Sequence, residues 1–232
     1  MLTSLGAHLA PLTPQYLHTI FSQTQFAFLL APTYHPGMAH VAPVRKEIGI
    51  RTIFNILGPL CNPADIDARV IGVSNPILGK VFAETLHLMS VKRAMVVCGF
   101  EGLDEVSPEG KTHVWRLDAV GEVDYITVDP SDFGLESHPI DDVKSGTPPE
   151  NASLLLKLLA GDLPEGDAIL DFVLLNAATL LVCAEKANDW KEGVALARES
   201  ITSGQAKKAL EGFITGTIEV ADTVTKLRGR TF

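Results

Sequence analysis

Charge is missing from the opening of this 232-residue chain: residues 1–44 hold no Lys, Arg, Asp or Glu, and Arg45 is the first charged side chain. A secretory leader needs a basic start and an organelle-transit segment needs arginines, so neither is expected. A solvated surface normally carries some charge. The bare stretch should therefore either run deep in its own core or pack against further polypeptide or another subunit; the second is the preferred reading. Cysteine is scarce. Cys61, Cys98 and Cys183 lie far apart with no C-x-x-C spacing, which excludes a zinc ribbon or a disulfide framework and predicts reduced thiols in a cytoplasmic protein. Basic residues are outnumbered, 19 Lys and Arg against 28 Asp and Glu, for a net charge of −9. Nucleic-acid binders usually show a basic face, so no nucleic-acid partner is expected. Long apolar runs are lacking too. FVLLNAATLLVCA over 172–184 is interrupted by Asn176 and is too short to span a bilayer. It reads as a buried helix, and no membrane partner is expected. There are no internal repeats, and no linker is long enough to divide the chain, so one domain over 1–232 is expected.

What is present alternates between helix and strand signals. Thr13-Pro14 reads as an N-cap followed by proline at the first helical position, and Gly49 is placed to stop a second helix. RVIGVS (69–74) and RAMVVCGF (93–100) are short, apolar, β-branched runs, as expected of strands covered on both faces. Between them, 76–90 has helical spacing with Pro76 near its start. That β-α-β order predicts a parallel pair with a crossover. THVWRLD (112–118) and VDYITVD (123–129) predict a hairpin or two edge strands. The rest reads as helix: 149–161 ending at Gly161, 166–188 apolar nearly all round and hence central, then one or two amphipathic helices. The fold class is α/β.

GFEGLDEVSP (99–108) places Asp104 beside Glu105 just where a strand ends. Ligands of open α/β sheets sit at the carboxyl ends of parallel strands. Two adjacent carboxylates raise each other's pKa unless something positive lies between them. A metal ion, a basic side chain and plain solvent all remain open on the residues alone.

FLLAPTYHPGMAHVAPVRKEIGIRTIFNILGPLCNPA (28–64), GLDEVSP (102–108) and GDAILDFVLLNAATLLVCAEKANDWKEGVALARESITSGQAKKALEGF (166–213) together resemble the anthranilate phosphoribosyltransferase family, glycosyltransferase family 3. The long first motif is specific, and the acidic pair alone would be weak. The resemblance implies a mostly parallel sheet flanked by helices, of the nucleoside phosphorylase/phosphoribosyltransferase type, with residues 1–40 contributing to a helical dimerisation or hinge region. It implies transfer of a phosphoribosyl group from phosphoribosyl pyrophosphate to the amine of anthranilate, in tryptophan biosynthesis, and a homodimer when complete. It also implies Mg²⁺, held by Asp104 and Glu105. Mg²⁺ takes oxygen ligands and keeps several waters, so one or two carboxylates suffice. Arg45 matches the family arginine that contacts anthranilate, and a guanidinium can grip a carboxylate through two parallel hydrogen bonds. An ion pair with Glu47 or another acid is its alternative. The same motif implies that His35 and Met38 line the anthranilate channel and that Gly58 and Pro59 shape the backbone where the aromatic ring passes. Arg51 and Asn55 are expected to be structural. His8, His18, His40, His87, His113 and His138 show no metal spacing and receive no role.

One departure is large. The family pattern has a glycine-rich GTGGD loop, a KHGNR segment and a GSAD segment, and none occurs here. Phosphates are normally held by such backbone turns at helix N-termini. The fold is therefore expected to be incomplete at its N-terminus, and the activity of the chain alone to be weak or absent. Two other readings stand beside the enzyme: a non-catalytic subunit or interaction module pairing with a full-length chain, and, less favoured, a nucleoside phosphorylase of the same fold.

Overall fold

The computed structural model describes residues 1–50, 52–53 and 56–228. Arg51 and Asn55, expected to be structural, lie outside the described residues. In chain order the main elements are α1 (Pro14–Thr24), α2 (Ala31–Tyr34), α3 (Met38–Ile48), β1 (Ala68–Gly72), α4 (Ile77–Leu88), β2 (Arg93–Gly99), β3 (Thr112–Leu117), β4 (Val123–Val128), α5 (Pro148–Ala160), α6 (Ala168–Cys183), α7 (Trp190–Thr202) and α8 (Gln205–Arg228). They gather into two compact units. One comprises 1–55, 145–162 and 201–232, and the other 56–144 and 163–200.

The first unit is helical. Pro14 starts α1 after Thr13, as expected, although the Thr13 side chain makes no capping bond. α1 packs along α8 because α8 is thinned there by Gly212 and Gly216. A Cβ on Gly212 would stand 2.9 Å from Thr24, and one on Gly216 2.9 Å from Ile20. Phe213, between them, is fully buried and meets Phe26 edge-on at 5.1 Å. The uncharged opening divides in two. Ala7, Leu12, Leu17 and Ile20 are buried within this unit. Beyond them neither α2 nor α3 has a buried residue, and Phe28, Val44, Ile48 and Ile50 are exposed.

The second unit is α/β. Its four-stranded sheet runs in the order β1-β2-β3-β4. β1 and β2 pair in parallel across α4, with Ala68 opposite Arg93 and Gly72 opposite Val97. β3 is antiparallel to both β2 and β4, so among the described residues the sheet is mixed, with one parallel pairing. β3 and β4 form the expected hairpin, turned by Gly121 at φ 93°. α4 covers one sheet face with Phe82, Ala83 and Leu86 against Ile71, Val96 and Trp115. Gly79 lets it close, since a Cβ there would lie 2.1 Å from the Trp115 ring. α6 packs against β1 and β2, and α7 reaches α6 through Gly193, whose added Cβ would sit 2.9 Å from that of Ala178.

α6 corrects one expectation. It spans Ala168–Cys183, not 166–188, because Asp167 caps its start with its carboxylate accepting the N–H groups of Ile169 and Leu170. It is apolar all round, yet only one side is covered: Leu170, Leu174, Leu175 and Ala178 are buried, whereas Val173 and Leu180 are exposed. Cys61, Cys98 and Cys183 are all free. No described helix is long and apolar enough to cross a membrane.

Candidate active site

β2 ends at Gly99, and the chain turns at once. The Gly99 N–H donates to the Leu103 carbonyl at 2.8 Å, and the Gly102 N–H to the Gly99 carbonyl at 2.8 Å. Gly102 takes φ 89°, a left-handed conformation that a side chain rarely tolerates. This tight turn delivers Asp104 and Glu105 to the carboxyl end of a strand paired in parallel with β1. The backbone of Asp104 seats directly on β1: a Cβ on Gly72 would come within 1.5 Å of the Asp104 carbonyl oxygen. Only glycine lets the loop settle there.

Below the acids the loop is latched. Val106 is fully buried. Its N–H donates to Asn176 Oδ1 at 2.9 Å, and its carbonyl accepts from Asn176 Nδ2 at 3.4 Å. The Ser107 N–H donates to the buried Thr112 Oγ1 at 2.9 Å. Ser107 Oγ accepts from the Glu109 and Gly110 N–H groups, which closes the turn into β3. The Pro108 carbonyl accepts the His138 N–H at 2.8 Å. His138 is itself tied through Nε2 to Asp171 Oδ2 on α6 at 2.9 Å.

The side chains of Asp104 and Glu105 remain exposed. Glu105 keeps solvent contact, yet protein atoms crowd it. That burial is the larger cause, and the Asp104 charge the smaller, of an upward push on its carboxyl pKa. Neither acid forms an ion pair among the described residues. Two like charges side by side, one resisting ionisation and neither neutralised, suit a cation. Two carboxylates would suit Mg²⁺, which takes oxygen ligands and needs few from the protein because it keeps several waters. Among the described residues no three His, Cys, Asp or Glu side chains gather as a metal cluster.

The other predicted site residues occur in two places. His35 closes α2, and its carbonyl accepts the N–H of Met38, the first residue of α3, at 2.9 Å. Arg45 sits near the end of α3, and its carbonyl is capped by Gly49 at φ 66°. His35, Met38 and Arg45 are all half-buried, and Arg45 forms no ion pair with Glu47 or any other acid among the described residues. Gly58 and Pro59 form a single 3₁₀ turn with Leu60; both are exposed, while Leu60 anchors the turn in the α4-side core. By unit, His35, Met38 and Arg45 belong to the helical part, and Gly58, Pro59, Asp104 and Glu105 to the α/β part.

Sequence reasoning missed the supporting residues. Asn176 was visible only as a polar break in an apolar run, Gly72 as a glycine inside a strand, which signals close backbone approach. His138 offered no signal, because its partner Asp171 lies 33 residues away.

A protein-family profile described as glycosyl transferase family, a/b domain, matches residues 1–207. The chain belongs to this family. Among curated proteins, the anthranilate phosphoribosyltransferase of Schizosaccharomyces pombe is 47% identical over 215 residues, covering 93% of this chain and 60% of that protein. That of Desulfitobacterium hafniense strain Y51 is 42% identical over 211 residues, 91% of this chain and 61% of the relative. Among solved structures, the Saccharomyces cerevisiae anthranilate phosphoribosyltransferase in complex with PRPP and Mg superimposes with a TM-score of 0.88 at 37% identity, over 94% of this chain and 62% of that one. The Thermus thermophilus enzyme gives 0.84 at 40% identity, over 93% and 63%. This family member therefore spans about 60% of the length of the curated relatives it matches.

Proposed function

We propose that the chain carries the metal-binding and anthranilate-binding parts of an anthranilate phosphoribosyltransferase. In the reaction the amine nitrogen of anthranilate forms a bond to C1 of the ribose as the C1–O bond to pyrophosphate breaks. Asp104 and Glu105 would hold Mg²⁺, which when bound neutralises the charge that builds on the leaving pyrophosphate. Arg45 grips the anthranilate carboxylate, fixing the ring so that its amine is held rather than free to tumble. His35 and Met38 line the ring's path, and Gly58 and Pro59 give it a backbone edge free of bulk. The single observation that carries this reading is the acidic pair seated over Gly72 at the end of β2, with burial and the Asp104 charge together opposing ionisation of Glu105. The complete enzyme is proposed to be a cytoplasmic homodimer. No GTGGD-type phosphate loop is encoded in these 232 residues, so turnover by this chain is expected to fall well below that of a full-length relative. Fluorescence titration of the purified chain with anthranilate, followed by addition of PRPP and Mg²⁺, tests the proposal. Anthranilate binding with slow or no product formation is expected, and absence of anthranilate binding would overturn it.

A second reading has its own support. The helical unit carries an apolar groove of about 680 Å³ lined by Met1, Leu2, Phe26, Phe28, Leu155 and Leu210, among others. A chain that pairs with a full-length family member would cover such a groove. Co-elution with a full-length relative in size-exclusion chromatography favours that reading, and separate elution removes it.

A further inference from the structure

We propose that Asn176 is a positioning residue for the acidic loop: its side-chain amide fixes the peptide plane that joins Glu105 to Val106, and so sets where the Glu105 carboxylate meets a divalent cation. The inference rests on reading Asp104 and Glu105 as the metal pair.

Asn176 lies midway along α6 among Leu174, Leu175, Ala178 and Thr179, all buried. A polar amide in such a setting is costly unless its groups are bonded. Every polar atom is accounted for. Oδ1 accepts the Val106 N–H at 2.9 Å; Nδ2 donates to the Phe172 carbonyl at 3.1 Å and to the Val106 carbonyl at 3.4 Å. The amide thus pairs with one residue as a neighbouring strand would, reading both its donor and its acceptor. Val106 is fully buried and Asn176 half-buried, so the pair is largely shielded from water. The Val106 N–H belongs to the same planar peptide as the Glu105 carbonyl. Holding that N–H therefore holds the backbone of Glu105, although the Glu105 side chain keeps solvent contact. One residue on, Thr112 fixes the Ser107 N–H from β3. The loop is pinned at consecutive residues from two different elements immediately beneath its acids.

The side-chain inventory explains why asparagine is needed. Aspartate supplies the acceptor without the donor, and leucine, of similar branched shape, supplies neither. Partners that orient metal ligands typically account for about 10–100-fold in metal affinity. Mn²⁺ binding by the purified chain, read by room-temperature electron paramagnetic resonance with Mg²⁺ competition, is measured alongside hydrogen exchange at the Val106 amide. The parent chain should bind Mn²⁺ in a form Mg²⁺ displaces, and Asp104→Asn should abolish it. Asn176→Leu should weaken binding about tenfold and speed Val106 exchange, with the β2 amides exchanging as in the parent. Asn176→Asp, which keeps the acceptor, should speed Val106 exchange by less, and it carries the test if the leucine variant does not fold. Mn²⁺ binding that Asp104→Asn abolishes but folded Asn176→Leu leaves intact overturns the positioning role alone. Unchanged Val106 exchange in both Asn176 variants does the same. No Mn²⁺ binding by the parent overturns the metal pair and the positioning role together.

Discussion

Two stretches carry the chemistry proposed for this chain, and they are built in opposite ways. The acidic loop over 102–108 shows its two carboxylates to solvent but is held from beneath, by Gly72 of β1, Asn176 of α6 and Thr112 of β3. The motif around His35, Met38 and Arg45 has no such base among the described residues: neither α2 nor α3 contributes a buried residue. Its helices are closed by local devices alone, a left-handed glycine after α3 and backbone turns around His35. The difference teaches where each function would be vulnerable. A loop fixed by distant buried partners can be damaged from far away. A motif that touches little can lose binding without losing stability.

The sharpest way to break this comparison is to make the same change in both regions. Alanine at Gly72 puts a Cβ 1.5 Å from the Asp104 carbonyl oxygen, a backbone atom that cannot step aside, whereas a Cβ at Gly37, between His35 and Met38, meets nothing within 4 Å. Overpacking against backbone belongs at the upper end of the usual range, about 3 kcal/mol. For a chain of this size that lowers Tm by roughly 6–12 °C. Gly37→Ala should stay within about 0.5 kcal/mol. Thermal unfolding followed by circular dichroism measures both. Equal shifts would mean that the loop is not seated on β1 as described.

The contrast also bears on what could be read from the sequence. The β1-α4-β2 crossover was legible because apolar runs, helical spacing and turn residues agree locally, and Gly49 and Gly161 stop their helices where their left-handed φ requires. The place of Asp104 and Glu105 followed from the end of β2. The latches did not, because Asn176 lies 70 residues from Val106, and no local pattern links a polar break in one helix to a loop so far away. α6 shows a second limit. Its all-round apolarity says which side chains avoid water, but not what covers them, and Val173 and Leu180 are exposed among the described residues. Arg45 was legible only through resemblance, since a half-buried arginine on a short helix has many ordinary explanations.

Arg45 should separate binding from stability. If Arg45 grips the anthranilate carboxylate as proposed, Arg45→Ala removes a charge-assisted pair of hydrogen bonds, about 1.5–3 kcal/mol, or roughly 10–100-fold in affinity. The fold should barely register the loss, because Arg45 is only half-buried and α3 has no fully buried residue; a Tm change within about 1–2 °C is expected. Arg45→Lys keeps the charge without the two-pronged geometry and should recover only part of the affinity. Fluorescence titration with anthranilate reads the first effect and calorimetry the second. A large fall in Tm would show that α3 is held more firmly than its exposure suggests, erasing the contrast with the acidic loop.

The smallest effect concerns the acids and follows from sign. Burial first, and the Asp104 charge second, raise the Glu105 pKa above its unfolded value of 4.5. A carboxyl raised on folding binds its proton more tightly in the folded state, so its contribution to stability is fully present below the unfolded pKa and disappears as pH climbs through the folded one. Once pH has passed the folded pKa, Glu105 is ionised against that preference and stability is lower for it. Glu105→Gln removes the penalty and should raise Tm at pH 7 by about 1 °C, since solvent screens so exposed a charge. Below pH 4 the two proteins should unfold together. Mg²⁺ added at pH 7 should narrow the gap by stabilising only the parent, because a cation at the pair reverses the cost of ionising it. A variant less stable than the parent at pH 7 without added metal would mean that the Glu105 carboxylate already has a favourable partner, and the acidic loop would then need no cation to complete it.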